Sequence, residues 1–109
     1  MSKSNWNDYL LTSAVNGCTE SIKEALQNGA DIHCKDIEDN TALMLAAKCG
    51  HTRVVDILLN KGSSINSDNL DGKNAVLLAA QAGHSDCLEV IINALMKENE
   101  IDFPSSHSH

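Results

Sequence analysis

The residues of this chain that could carry chemistry are its five histidines and four cysteines. Zinc sites need four ligands at recognised spacings, and neither the pair His33-Cys34 nor His107 with His109 supplies such a set. The sequence also lacks a nucleophile elbow, an HExxH motif, a phosphate-binding loop and the glycine set of a dinucleotide site. We therefore predict that the chain is not an enzyme and holds neither a metal nor a cofactor.

The four cysteines are scattered along the chain without a Cys-x-x-Cys pair. Cys49 stands just before Gly50, where we expect solvent to reach its thiol. Cys18, Cys34 and Cys87 are expected to be packing or turn residues, because free cysteine behaves as a small hydrophobe. The N-terminus shows no export-signal pattern, so we predict reduced thiols in a cytoplasmic or nuclear protein.

Composition and charge narrow the range of partners. The 109 residues suit one domain, and 42% apolar but only 3% aromatic residues predict an aliphatic core. The net charge is −7 and no basic patch is present, which disfavours nucleic acid and anionic membrane surfaces. No apolar run reaches the length of a membrane span.

The elements that would position any site repeat every 33 residues. Gly50-His51 recurs as Gly83-His84, and Ala46-Ala47 recurs as Ala79-Ala80. Gly50 also has a counterpart in Gly17. A fixed period of this size indicates stacked units, which usually present a surface rather than enclose a reaction centre.

One unit reads as turn, helix, turn, helix. Thr41 is suited to cap a short helix over 42–49, which Gly50 ends in the left-handed conformation. A second helix is predicted from Thr52 or Arg53 to Asn60, followed by Gly62 and an extended return to the next turn. Helices this short are marginal alone, so stacking of neighbouring units must stabilise them.

This unit resembles an ankyrin repeat. The matching positions in the central copy are Asp36, Thr41, Leu43, Ala46, Ala47, Gly50, His51, Val55, Leu58, Leu59, Gly62, Ile65 and Asn66. The resemblance implies an all-α solenoid of about three helix-turn-helix repeats joined by β-turn-type hairpin loops. We expect an N-terminal extension at 1–6, repeats at about 7–39, 40–72 and 73–101, and a disordered or artificially added tail at 102–109.

The chain departs from the family pattern at the turns and at the last helix. Met44 and Leu77 replace a histidine that usually ties adjacent turns together, so a looser or more apolar turn region is expected. Near the C-terminus, Ala94-Leu95-Met96 replaces the usual glycine stop, which predicts a helix running through Lys97 or Glu98. We expect this longer helix to cap the stack.

The resemblance implies that the chain binds a partner protein through the turn tips and the exposed face of the first helices. The predicted partner-binding residues are Ile37, Glu38, Asn40, Lys48, Cys49, Leu70, Asp71, Lys73, Gln81 and Ala82, with Val15, Asn16 and Trp6 beside the same row. Structural roles are assigned to Thr41, Gly50, His51, Gly62, Gly83 and His84, and Asn66 is a candidate for hydroxylation. The acidic residues Asp36, Glu38, Asp39, Asp68 and Asp71 indicate a partner with a basic surface.

Two questions stay open at the level of sequence. Ile37 and Leu70 occupy equivalent turn tips and could either form a small apolar interface core or pack against the next turn. The partner-binding function could be scaffolding or regulation by a monomer. The alternatives are direct inhibition of an enzyme such as a kinase, or homo-oligomerisation through Ile91, Leu95 and Met96.

Overall fold

Six helices make up the regular structure of the described part of the chain. The computed structural model describes residues 3–101, with side chains for residues 5–97, so the predicted tail at 102–109 lies outside it. The helices are α1 (Lys3–Asn16), α2 (Thr19–Gln27), α3 (Ala42–Cys49), α4 (Thr52–Asn60), α5 (Ala75–Ala82) and α6 (Ser85–Ile101). The segment predicted as an N-terminal extension is helical from Lys3 onward, and α6 runs beyond the predicted end at Lys97 or Glu98.

The helices form three antiparallel pairs that stack in one direction. The first helices α1, α3 and α5 pack in a row, and α4 packs between α2 and α6 behind them. The core between the rows is aliphatic, as the composition predicts, and Leu10, Leu43 and Leu58 are fully buried in it. Ala46 and Ala47 are buried too, because their small side chains let α3 lie close to its neighbours.

Helix ends are set by local sequence. The hydroxyl of Thr41 accepts a hydrogen bond from the backbone N–H of Met44, 3.3 Å away, and Asn74 caps α5 in the same way through Leu77. Gly50 and Gly83 end α3 and α5 with φ near +80°, and Gly62 follows α4 at φ +97°. Two of the three repeats therefore carry the same capping device at the same position.

The histidines after these glycines connect successive repeats. The Nε2 atom of His51 lies 2.7 Å from the carbonyl oxygen of Val15 in the preceding repeat. A Cβ atom on Gly50 would come within 2.7 Å of the His84 ring, and a Cβ on Gly17 would meet the His51 ring. Glycine is needed at 17 and 50 both for the left-handed backbone and for this close approach.

The first repeat has its own links between helices. The Tyr9 hydroxyl lies 3.1 Å from both Ser21 Oγ and Glu24 Oε1 of α2. The half-buried Trp6 packs against the core and meets the Tyr9 ring edge-on, with ring centroids 5.5 Å apart.

Candidate functional site

Two turn tips project from the stack at equivalent positions of successive repeats. In the first tip the Asp36 carboxylate accepts hydrogen bonds from the N–H groups of Glu38 and Asn40, at 2.9 and 2.8 Å. In the second tip the side-chain oxygen of Asn69 accepts from Asp71 and Lys73, at 2.9 and 3.0 Å. Each loop is therefore shaped by one short polar side chain at its start.

The backbone of each tip completes a tight turn. The N–H of Asp39 donates to the carbonyl of Asp36 at 3.0 Å, and Gly72 donates to Asn69 at 2.9 Å. Asp39 has φ +64°, the conformation that Gly72 adopts in the next tip at +75°. Aspartate is among the few non-glycine residues that enter this region at small cost.

The two aliphatic residues at the tips point into solvent. Ile37 is 94% exposed and Leu70 is 69% exposed. The proposal that each packs against the next turn is therefore wrong, since neither side chain is covered. What the structure shows instead is a pair of apolar groups held outward on hydrogen-bonded turns.

Adjacent tips are joined to each other by two hydrogen bonds. The N–H of Leu70 donates to the carbonyl of Glu38 at 2.9 Å, and the Asn69 amide donates to Asn40 Oδ1 at 2.9 Å. The buried Asn40 also donates to the Asp36 carboxylate at 3.3 Å. The expectation of a looser turn is wrong for this pair, because asparagine side chains make the connection; the apolar alternative holds at Met44, which is buried.

A groove of about 260 Å³ lies between these tips and the ends of α3 and α5. Seven of the ten predicted partner-binding residues line it, namely Glu38, Asn40, Lys48, Asp71, Lys73, Gln81 and Ala82. Ile37 and Leu70 stand on the turns beside it, and Cys49 is exposed next to Lys48. We call this surface, with Ile37 and Leu70, the tip groove.

Two lining residues were missed by the sequence reasoning. Asn69 and Leu78 both line the groove. Asn69 stands 33 residues after Asp36, and Leu78 stands 33 residues after Leu45. The repeat period could have identified both, had every position of the turn been compared.

The groove carries charged groups of both signs. Glu38, Asp71 and Lys48 are exposed and Lys73 is half-buried. Among the described residues the salt bridge found is Lys23 with Glu20, at 3.9 Å on α2, so the charged groups of the groove form none with one another. The Asp36 carboxylate is already engaged by its own turn, which leaves Glu38 and Asp71 as the acids available to a partner.

The thiols occupy four different environments. Cys18 and Cys49 are exposed, Cys34 is half-buried and Cys87 is buried. The Ser21 hydroxyl lies 3.0 Å from the Cys18 sulfur and lowers the pKa of that thiol. Burial, with the carboxylates of Asp31 and Asp8 nearby, raises the pKa of Cys34 to about 11.

The remaining predicted residues are placed as follows. Asn66 is exposed and follows the buried Ile65 on the extended return segment. Val15 and Asn16 are exposed at the end of α1. Ile91 is fully buried, so it cannot take part in the oligomer contact suggested for it, whereas Leu95 is half-buried and Met96 is exposed.

Within residues 3–101 no three of the histidine, cysteine, aspartate and glutamate side chains come together in a way that could hold a metal ion. None of the described helices is both long enough and apolar enough to cross a membrane.

Paired helices stacked in one direction, with projecting turn tips beside a groove, define a helical repeat protein with a recognition surface. The family model for ankyrin repeats, in three copies, matches residues 10–103. The chain therefore belongs to the ankyrin-repeat family. Ankyrin repeats mediate protein–protein interaction and are typically non-enzymatic.

Two ankyrin repeat proteins of Rickettsia felis are similar to part of the chain. Each is 42% identical over 41 residues, which is 38% of this chain. The aligned segments cover 65% and 62% of the two relatives, less than two thirds of either.

Proposed function

We propose that this protein binds a partner protein through the tip groove, in a scaffolding or regulatory role in the cytoplasm or nucleus. The observation that carries the proposal is the exposure of Ile37 and Leu70 on rigid, mutually bonded turns. Large apolar groups presented in this way have no role in the core. An apolar centre within a polar rim is the usual anatomy of a protein interface.

The charges around the tips favour a partner segment that combines apolar and basic residues. Glu38 and Asp71 each follow one of the two aliphatic tips in the chain and are unpaired. The nearby Asp68 is exposed as well. Basic groups on the partner would face these acids, while Lys48 and Lys73 in the groove would favour one orientation of a segment carrying both signs.

Rigidity of the surface supports the same function. The hydrogen bonds that shape each turn and join the two turns fix the tips before a partner arrives. A preorganised surface loses less conformational entropy on binding, which strengthens the interaction for a given contact area.

Affinity capture with a matched pair of variants tests the proposal. The Ile37→Ser/Leu70→Ser double variant should lose the partner that the wild type captures, by at least about tenfold in Kd once the partner is purified, as expected for apolar hot spots. Leu77→Ser is the control, because Leu77 is an exposed leucine that does not line the groove. Equal capture by the wild type and both variants would contradict the proposal.

The role of charge is checked with the same purified partner. Glu38→Gln/Asp71→Asn should weaken binding, and raising the salt concentration should weaken wild-type binding in parallel because exposed charges are screened. Binding that is insensitive to both changes would leave the apolar contact but remove the basic partner.

Hydroxylation of Asn66 stays a proposal that rests on the family resemblance. The exposed side chain is compatible with access by an enzyme. The mass of the peptide containing Asn66, isolated from cells that contain the hydroxylase, should be raised by one oxygen atom. An unmodified peptide would remove the proposal.

A further inference from the structure

A second apolar surface lies at the C-terminal end of the stack, apart from the tip groove. We call it the end face and define it by the exposed residues Leu77, Ala80, Ile92 and Met96. The half-buried Val76 and Leu95 border it. Leu77 and Ala80 lie on α5, and the other two exposed residues lie on α6.

Comparison within the chain shows what such a face does one repeat earlier. Met44, the counterpart of Leu77, is 1% exposed where Leu77 is 44% exposed. Ala47, the counterpart of Ala80, is fully buried. The next helix pair covers Met44 and Ala47, whereas no described residue covers the same positions in the third repeat.

The end face also lacks the polar character of a solubilising cap. Helix α5 (Ala75–Ala82) contains no charged residue, and its one polar residue, Gln81, lines the tip groove instead. At Gly83, nothing lies within 4 Å of the Cβ position, whereas a histidine ring covers the equivalent positions at Gly17 and Gly50. Terminal repeats normally turn a polar face to solvent, so the surface resembles an interior repeat contact.

We propose that the end face joins two copies of this protein in a two-fold dimer. The first support is continuity with the contact between repeats: the two earlier faces of this kind are each covered by another repeat of the same sequence, and a second copy offers the same aliphatic surface. The segment 102–109 is a poorer occupant, because Phe103 is its one large apolar residue.

The second support is charge. A two-fold contact brings identical surfaces together, so it must be self-complementary and free of like charges in its centre. The whole chain carries a net charge of −7, and two copies repel each other over most of their surface. The four residues that define the end face are uncharged, so this patch can meet itself without that cost.

The size of the patch sets the expected strength. A small interface of a few aliphatic side chains belongs to the weak class, with Kd of about 10–100 µM. Because the copies repel electrostatically, the dimer should become stronger as salt is added, whereas partner binding at the tip groove should become weaker. The two surfaces can therefore be distinguished in one titration.

Sedimentation equilibrium of the full chain, from about 5 µM to about 1 mM and at two salt concentrations, tests the dimer in the range set by the expected Kd. Leu77→Glu and Met96→Glu should each raise the dimer Kd at least about tenfold, since a two-fold contact contains every substitution twice. Leu70→Glu is the matched control, because it changes an exposed leucine outside the end face. Circular dichroism confirms that each variant is folded, and the two variants lie on different helices so that one can replace the other.

A concentration-dependent dimer that the end-face variants dissociate and Leu70→Glu does not would support the proposal. A chain that stays monomeric at the highest concentration would overturn it. A dimer that resists both end-face variants, or one that Leu70→Glu dissociates equally, would also overturn it and would locate the contact elsewhere.

Discussion

At the scale of single residues, environment distinguishes side chains of identical chemistry. Ile37 and Leu70 are as apolar as the leucines of the core, yet they lie at the tips of turns and contact solvent. The four cysteines differ in the same way, because their exposure and neighbours change both access and acidity. Function at this scale depends on where the fold places a common residue type.

Thiol reactivity gives a prediction at the residue scale. At pH 7.5 iodoacetamide should modify Cys18 fastest and Cys49 next, because the thiolate reacts and the pKa of Cys18 is lowered by its bond to Ser21. Cys34 should react slowly, since a pKa of about 11 leaves it almost fully protonated, and its rate should rise as the pH rises. Buried Cys87 should be slowest of all.

Mass spectrometry of peptides after short exposure to the reagent measures this order. The control is Ser21→Ala, which should slow the reaction of Cys18 and leave that of Cys49 unchanged. Fast labelling of Cys34 at neutral pH would show that its surroundings are more open than described.

At the scale of structural elements, the turns are coupled through asparagine side chains. Asn40 accepts from Asn69 in the next turn and donates to Asp36 in its own. This arrangement holds two tips in a fixed relation although the family's usual histidine is absent. It also explains why Asn40 is buried despite its place on a surface loop.

Removal of this connection should be costly. Asn40→Ala should lower the free energy of unfolding by about 1–3 kcal/mol, because it leaves buried partners without hydrogen bonds. Lys73→Ala is the matched control at the same position of the next repeat, and its cost should stay below about 0.5 kcal/mol, as for surface substitutions. Urea denaturation followed by circular dichroism gives both values.

Equal costs for the two alanine variants would mean that the Asn40–Asn69 bond adds little to stability. In that case the rigidity assigned to the tip groove would lose its structural basis. The partner affinity of Asn40→Ala would then be expected to match that of the wild type.

At the scale of the whole molecule, stability comes from contacts between repeats rather than from any one helix. Each helix pair has an apolar face that the next pair covers, and the series stops at α5 and α6. The two ends of the stack are therefore different surfaces. One consequence is that equivalent residues contribute unequally to stability.

The pair Met44 and Leu77 tests this inequality. Met44→Ala should lower the free energy of unfolding by about 2–4 kcal/mol, the range for large-to-small changes in a core. Leu77→Ala should cost less than about 1 kcal/mol, since the side chain is partly exposed and less apolar area is lost. Denaturation at about 1 µM protein keeps the chain below the expected dimer Kd.

A cost at Leu77 that equals the cost at Met44 would show that the end face is covered within a single chain. That result would also remove the basis of the proposed dimer. The two measurements therefore bear on both the fold and its assembly.

Most of the fold could be predicted because its causes are local or periodic. Thr41 and Gly50 mark the ends of α3 by capping chemistry, and the 33-residue period repeats the same marks at Asn74 and Gly83. The aliphatic core followed from composition and helical spacing. The predicted binding residues were also largely gathered in one groove, because their repeat positions are equivalent.

Other features depended on contacts between residues far apart in sequence. The bond between Asn40 and Asn69 spans 29 residues, and neither residue shows by itself that it has a partner. The end of α6 also extends beyond the point that the sequence pattern predicted.

The sequence by itself determined the repeat, the helices and an aliphatic core, because capping and periodic burial act within a few residues. Only the tertiary structure decided which apolar residues stay exposed. Met44 and Leu77 hold the same position in the period, yet one is covered and the other is not. The physical reason is that burial depends on a neighbouring repeat, which no single position in the sequence specifies.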